Sequence, residues 1–196
     1  MGRTKALLPY GSGTDDTFLT HIVRTLHEAG IEDILVVGRP DDETLRDALV
    51  RADVAARYVA NRDHERGQLS SVIAAINAVD RPGVRGVLIV PVDMPLVRPD
   101  TYRIVLRTFA DHPHAIVRAA YGGRHGHPVV FDRGSFDALR HADPSLGAKA
   151  VLRERADRVL DVEVDDAGVL QDVDSVDDYV AIFGRPPNAA GSIVPS

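Results

Sequence analysis

The chain has 196 residues, 44% of them apolar, and a formal net charge of -6 from 29 acidic and 23 basic side chains. That is one ordinary domain with material for a core, and too acidic for a general nucleic-acid binder, which needs a basic face. The absence of cysteine excludes disulfides, thiolate chemistry and sulfur-ligated zinc. No apolar run approaches the length of about 18 residues that a membrane span needs, and no charged-then-apolar leader opens the chain, so a cytoplasmic protein is expected, with neither membrane nor nucleic acid as partner. Only Lys5 and Lys149 are lysine; every other basic residue is arginine. Coding bias explains most of that, and it leaves each remaining lysine open to question.

The opening MGRTKALLPYGSG is polar and reads as a loop that follows a strand rather than as the start of a domain. Asp15, Asp16 and Thr17 then supply caps for a helix over FLTHIVRTLHEAG, with Phe18, Leu19, Ile22, Val23 and Leu26 on one face and Gly30 at its end. The run 33–38 is a buried strand, 41–53 a second helix, 56–60 a weaker strand and 67–79 a third helix with Leu69, Val72, Ile73, Ile76 and Val79 inward. GVLIVPVDMP (86–95) is continuously apolar and reads as a strand covered on both faces. Pro99 opens a helix over 98–111. Beyond 112, AIVRAAY and HPVVF form shorter strands, read as a hairpin at the sheet's edge. Helical segments follow near 134–141 and 147–155, then a strand over 158–164 and a helix over 175–183. Strands alternating with helices predict a three-layer, doubly wound α/β fold with a mostly parallel sheet in a single domain. Residues 184–196 read as a flexible tail.

Open α/β sheets place ligands beyond the carboxyl ends of their strands. Asp93 follows the most apolar strand and is a natural seat for a divalent cation, or the cap of the next helix. Asn61 to Ser71 carries Arg62 and Arg66 into a helix N-terminus with Gly67, Gln68, Ser70 and Ser71, which suits a phosphate or a base carbonyl, or merely starts a helix. In Arg124-His125-Gly126-His127-Pro128 an extended step is expected to point the two rings apart, so a glycine-hinged loop along an anionic substrate is favoured over a transition-metal pair. The segment 157–178 is rich in acid and reads mostly as a solvated face. Asp172 and Asp174, two apart on an extended segment, point the same way and could add oxygen ligands to a metal at Asp93.

Taken in order, Lys5-Ala-Leu-Leu-Pro9, Asn61 with Gly67-Gln68-Leu69-Ser70-Ser71, Pro91-Val92-Asp93-Met94-Pro95-Leu96, Gly126-His127-Pro128-Val129 and Asp172-Val173-Asp174 with Asp178-Tyr179 form a series. The series resembles the MobA-like nucleotidyltransferases, most closely the molybdenum-cofactor cytidylyltransferase branch, over residues 1 to about 183. The resemblance implies a Rossmann variant of the nucleotide-diphospho-sugar transferase type that moves a nucleotide, CMP from CTP, onto a phosphorylated acceptor such as molybdopterin and releases pyrophosphate. It implies Mg²⁺ on Asp93 with Asp174 or Asp172, and Lys5 as the catalytic cation beside the triphosphate. It further implies nucleotide contacts from Lys5, Asn61, Gly67, Gln68, Ser70 and Ser71, and Arg124, Gly126, His127 and Pro128 facing the acceptor. A molybdoenzyme is a possible partner. The alternatives are a guanylyltransferase acting on another small phosphorylated acceptor, or a non-catalytic, chaperone-like nucleotide binder.

In such proteins a central strand and a small-residue phosphate loop of the type Leu-Ala-Ala-Gly-x-Ser-x-Arg precede the lysine. Met1-Gly2 matches the end of that loop, and the rest is not in this sequence. Met1 is therefore expected to be an internal methionine of a longer protein, the alternative being a degenerate relative. Losing five or six buried apolar side chains would remove roughly 10 kcal/mol, as much as a domain's whole margin, unless neighbouring strands closed the gap.

Overall fold

The computed structural model describes residues 5–11 and 15–187. Met1 and Gly2, on which the match to the phosphate loop rests, lie outside them, as do residues 188–196 of the expected tail.

Local sequence decides where most elements begin. The Thr17 hydroxyl accepts from the Thr20 N–H and the Thr20 hydroxyl from the Thr17 N–H, a reciprocal cap that opens α1 (Phe18–Glu28). Asp42 caps α2 (Glu43–Arg51) through the Leu45 N–H. Pro99 stands in the first turn of α4 (Pro99–Asp111). That helix borrows its cap from far along the chain: the buried Asp166 carboxylate accepts from the Arg98 N–H at 2.8 Å and the Thr101 hydroxyl at 2.6 Å. Asp166 is thus structural, an exception to the solvated acidic face expected over 157–178. The other helices are α3 (Gln68–Val79), α5 (Phe136–His141), α6 (Lys149–Glu154) and α7 (Val176–Phe183). The strands are β1 (Leu35–Gly38), β2 (Arg57–Ala60), β3 (Gly86–Ile89), β4 (Ile116–Tyr121), β5 (Arg124–Asp132) and β6 (Val159–Glu163).

Strand alternation divides the interior into two cores. Leu88, Val130 and Val117 align across β3, β5 and β4 and pack with residues of α1 and α4. Val87, Ile89, Val129, Phe131 and Ile116 serve the opposite core, with residues of α3, α5 and α6. Helix, sheet and helix are the expected three layers of an α/β fold.

The sheet itself differs from expectation in three ways. It is mixed: β5 runs antiparallel to β3 and to β4, whereas β4–β6 and β1–β2 are parallel. The β4–β5 hairpin is interior rather than at the edge, in the order β3-β5-β4-β6. Ile116, Val117, Val129, Val130 and Phe131 are buried on consecutive positions, so both faces of both strands need cover. Finally, β1 and β2 form a pair of their own. Among the described residues no strand bridges β1 and β3, and the central strand that the resemblance implies is not among them. The run 86–92 is consequently half-buried at every position instead of enclosed, because β3 lacks a neighbour on one side.

This division predicts unequal costs for one substitution. Val130→Ala, in β5, is expected to cost about 2 kcal/mol by urea denaturation, since two methyl groups leave a packed interior. Val87→Ala, in half-buried β3, should cost clearly less.

Candidate active site

Three remote segments meet at one point, and packing brings them there. Leu8, Phe18, Val173 and Tyr179 form a separate buried cluster. The Tyr179 hydroxyl donates to the Pro9 carbonyl at 2.8 Å, tying the N-terminal segment to α7. Asp178 caps α7, accepting from the N–H of Ser175 at 2.8 Å and of Asp174 at 3.2 Å, which fixes the backbone at 174. The Val173 N–H donates to the Asp93 carbonyl at 2.8 Å, so the loop leaving β3 is pinned to the same segment.

The result is an ammonium held by two carboxylates. Lys5 Nζ is 3.5 Å from Asp93 Oδ2 and in direct contact with Asp174 Oδ1. Its hydrogen bond to Asp174 raises its pKa above the ordinary value; partial burial opposes this, and the two negative charges add to it. Asp172 takes no part: it is exposed and forms no ion pair or hydrogen bond among the described residues, whereas Asp174 reaches Lys5. Among the described residues no three acidic or histidine side chains converge as a metal cage. Asp93 and Asp174 already share one cation, however. Mg²⁺ in nucleotide sites commonly rests on one or two carboxylates and takes its other ligands from phosphates and water. The donor pair therefore fits such an ion, without Asp172.

The second expected group assembles at the end of β2. Asn61 is buried; its amide N–H groups donate to Ser70 Oγ at 2.8 Å and Ser71 Oγ at 3.1 Å, and its oxygen accepts from the Asp63 N–H at 2.9 Å. The Ser70 hydroxyl donates to the Gly67 carbonyl at 2.7 Å, and Gly67 has φ 84°, a left-handed conformation that favours glycine. Asn61, Gly67, Ser70 and Ser71 thus build the start of α3, while Gln68 is exposed beside them. A half-open cleft of about 640 Å³ lies here, walled by Asn61, Arg62, Arg66, Ser70, Arg140 and Asp143; Lys5, Asp93 and Asp174 are not in its walls. No hydrogen bond or ion pair joins the two groups among the described residues.

The expected acceptor-side residues separate. Arg124 is exposed at the hairpin turn. Gly126 is required by a close approach: a Cβ there would stand 1.8 Å from the Val169 carbonyl oxygen. Pro128 is buried and follows a cis peptide bond. His127 is half-buried, and its Nδ1 is shielded from water with no partner. Two residues apart on a strand, His125 and His127 would share a face, contrary to the expectation of rings pointing apart. What gives them different surroundings is a slip in the ladder: Arg118 faces Val129 and Ala120 faces His125, two steps on β4 against four on β5. Burial is the chief influence on the His127 ring, followed by the Ile89 backbone and then by the charges of Asp93, Lys149 and Arg118. Sequence reasoning missed Arg118 altogether; for Lys149 the scarcity of lysine was a signal.

The model of the MobA-like NTP transferase domain matches residues 1–159, and the chain belongs to that family of nucleotidyltransferases. No curated protein matches it. Among solved structures it is similar to Rv0371c from Mycobacterium tuberculosis H37Rv, at 25% identity and TM-score 0.75, covering 94% of this chain and 92% of that one. A second structure of Rv0371c, in complex with manganese, gives 27% identity, TM-score 0.68 and 94% of each chain. A nucleotidyl transferase from Methanothermobacter thermautotroptrophicus shares the fold at 22% identity and TM-score 0.74, over 92% of this chain and 83% of that one. So does a 4-diphosphocytidyl-2C-methyl-D-erythritol synthase from Anaerococcus prevotii, at 18% identity and TM-score 0.67, over 87% and 90%. Among the described residues no helix is long and apolar enough to cross a membrane.

Two outcomes follow from the packing around the site. Gly126→Ala is expected to destabilise by about 1–3 kcal/mol or more, since backbone must move to admit the methyl group; a melting curve measures it. His21, stacked on Tyr10, and His127 are both held below the ordinary imidazole value of 6.5, chiefly by burial. Below that value the unfolded chain binds more protons than the folded one. Their contribution to stability is therefore whole above about pH 6.5 and is lost as pH falls through the lowered folded values. Urea midpoints should drop from about pH 7.5 to about pH 5, and drop less in the His21→Gln, His127→Gln double variant.

Proposed function

We propose that this protein transfers CMP from CTP to a phosphorylated acceptor of the molybdopterin type and releases pyrophosphate. The observation that carries the reading is the Lys5 ammonium between Asp93 and Asp174 at the exit of β3. Family membership over residues 1–159 supports the reaction class, and the resemblance of the motif series to the cytidylyltransferase branch supports the base.

In this reading an oxygen of the acceptor phosphate attacks the α-phosphorus of CTP. A new P–O bond forms as the bond to the bridging oxygen breaks, and pyrophosphate leaves with that electron pair. Little covalent help is needed; alignment and cations aimed at the developing negative charge supply the acceleration. Asp93 and Asp174 would hold Mg²⁺, which neutralises phosphate charge when bound. Lys5, at the same point, would face the phosphates with its ammonium. A lysine ammonium is protonated throughout the neutral range. The exposed Gln68 and the arginines at 62 and 66 lie where the start of α3 could meet base and ribose.

A pyrophosphate-release assay with Mg²⁺, a molybdopterin-type phosphate and each of the four triphosphates in turn tests this. CTP is expected to be turned over fastest. Asp93→Asn is expected to lower kcat by about 10²–10³ with the melting temperature unchanged within a few degrees, because a half-exposed carboxylate is lost from the site rather than from the core. No release with any triphosphate would end the reading.

A further inference from the structure

We propose that Tyr179 is a positioning residue for the transfer: its buried hydroxyl, acting through the Pro9 carbonyl, sets where the Lys5 ammonium stands beside Asp93 and Asp174. This rests on the transfer reading above, which makes Lys5 a catalytic cation, and adds to it a residue that touches no substrate.

The three charges cannot hold their own arrangement. Lys5 Nζ is 3.5 Å from Asp93 Oδ2 and in contact with Asp174 Oδ1, but a partly exposed ammonium on a flexible stem gains little from such pairs. Its place has to come from the backbone behind it. Lys5–Leu7 is a single helical turn, closed by the Leu8 N–H on the Lys5 carbonyl at 3.0 Å. Leu8 is buried, and its carbonyl accepts from the Phe18 N–H at 2.8 Å; the Tyr10 N–H donates to the Asp16 carbonyl at 2.8 Å. From Lys5 to Tyr10 the chain is thus a stiff arm fastened to the start of α1. Asp174 belongs to a second stiff piece. Its N–H donates to the Asp178 carboxylate, and the Asp178 N–H donates to the Ser175 hydroxyl at 3.1 Å, so the backbone at 174 moves with α7.

Tyr179 joins the two pieces. Its ring packs with Leu8, Phe18 and Val173, which draws the arm against α7. Apolar contact has no direction, however, and lets one surface slide along another. A hydrogen bond demands both distance and angle. The Tyr179 hydroxyl, donating to the Pro9 carbonyl at 2.8 Å, therefore fixes how far along α7 the arm comes to rest. A phenylalanine ring would serve the apolar cluster equally well, so the oxygen is the part of this side chain that packing leaves unexplained. Asp174 stands just before the helix that carries the hydroxyl, and Lys5 just before the residue that accepts from it. One bond thus sets the separation of the two charges. The consequence for rate is large, because a misplacement of about 1 Å at a reacting centre can cost roughly a hundredfold.

With only Lys5 and Lys149 in the chain, isotope-labelled lysine gives two side-chain signals by NMR, and Lys149→Arg tells them apart. In the full-length protein Tyr179→Phe is expected to move the Lys5 signal towards its position in Asp174→Asn and to leave the Lys149 signal in place. In the pyrophosphate-release assay the same variant should lower kcat about tenfold or more, hold the triphosphate KM within about twofold, and melt within a few degrees of the parent. In a Lys5→Ala background Tyr179→Phe should lower kcat no further, since the residue it positions is gone. An unmoved Lys5 signal overturns the proposal. So does an undiminished kcat, or a loss of equal size with and without Lys5, which would leave the hydroxyl a structural role alone. If the parent turns over no triphosphate while Tyr179→Phe still moves the Lys5 signal, the transfer reading falls and the positioning of Lys5 by Tyr179 stands.

Discussion

The meeting of Lys5, Asp93 and Asp174 is the contact on which the functional reading depends, and magnitudes show what creates it. Its side chains are 33%, 29% and 63% exposed, so as a surface ion pair it is worth about 0–1 kcal/mol. The neighbouring cluster of Leu8, Phe18, Val173 and Tyr179 buries four large side chains at roughly 1.5–3 kcal/mol each. Hydrophobic packing therefore sets the geometry, and the ion pair occupies a position imposed on it. That order of cause matters for function. A contact that contributes little to stability can be exchanged for a metal and phosphates at small cost, while the frame behind it stays fixed.

The sheet performs the complementary task of directing side chains from distant sequence to one end. Strand β3 delivers Asp93 at its exit, and antiparallel β5 delivers His127 at the matching level, because its early residues lie against the late ones of β3. Backbone proximity refines this: the missing Cβ of Gly126 lets the Val169 carbonyl close on β5, and Gly168 does the same beneath Leu96, where a Cβ would stand 2.4 Å from its carbonyl oxygen. Segment 166–174 is thereby drawn against both the loop after β3 and strand β5. It also provides the cap of α4 through Asp166, the bond from Val173 to Asp93, and Asp174. One stretch without a long element thus organises the site's geometry.

Much of this was legible in the sequence where the causes are local. Periodicity and caps gave α1 and α4 nearly to the residue, and an acid at the end of the most apolar strand marked Asp93. The order of motifs marked Lys5 and Asp174. What escaped is non-local. The consecutive apolar residues of β4 and β5 argued for a central hairpin, yet length and position read as an edge. That Asn61 and Ser70 hydrogen-bond to each other could not be read from the sequence. Asp172 and Asp174 looked equivalent because sequence cannot show which of two exposed carboxylates reaches the N-terminal lysine; only Asp174 does. Gly126 looked like a hinge, whereas what it accommodates is a carbonyl from residue 169.

The same distinction between local and global governs charge. An acidic chain seems ill-suited to bind anions, but net charge is the wrong measure at the scale of a site. Many of its arginines are neutralised by carboxylates: Arg24 by Asp16, Arg118 by Asp161, Arg133 and Arg140 by Asp80, Arg158 by Asp132. Salt screens exposed charges beyond roughly 8–10 Å, so these pairs present little field to a ligand. The field that a phosphate meets near Asp93 is set by whichever cations there lack a partner or can be released from one. In this arginine-rich protein Lys5 is such a cation at the β3 exit, and a compact ammonium on a flexible stem is better suited than a paired guanidinium to change partners during a reaction.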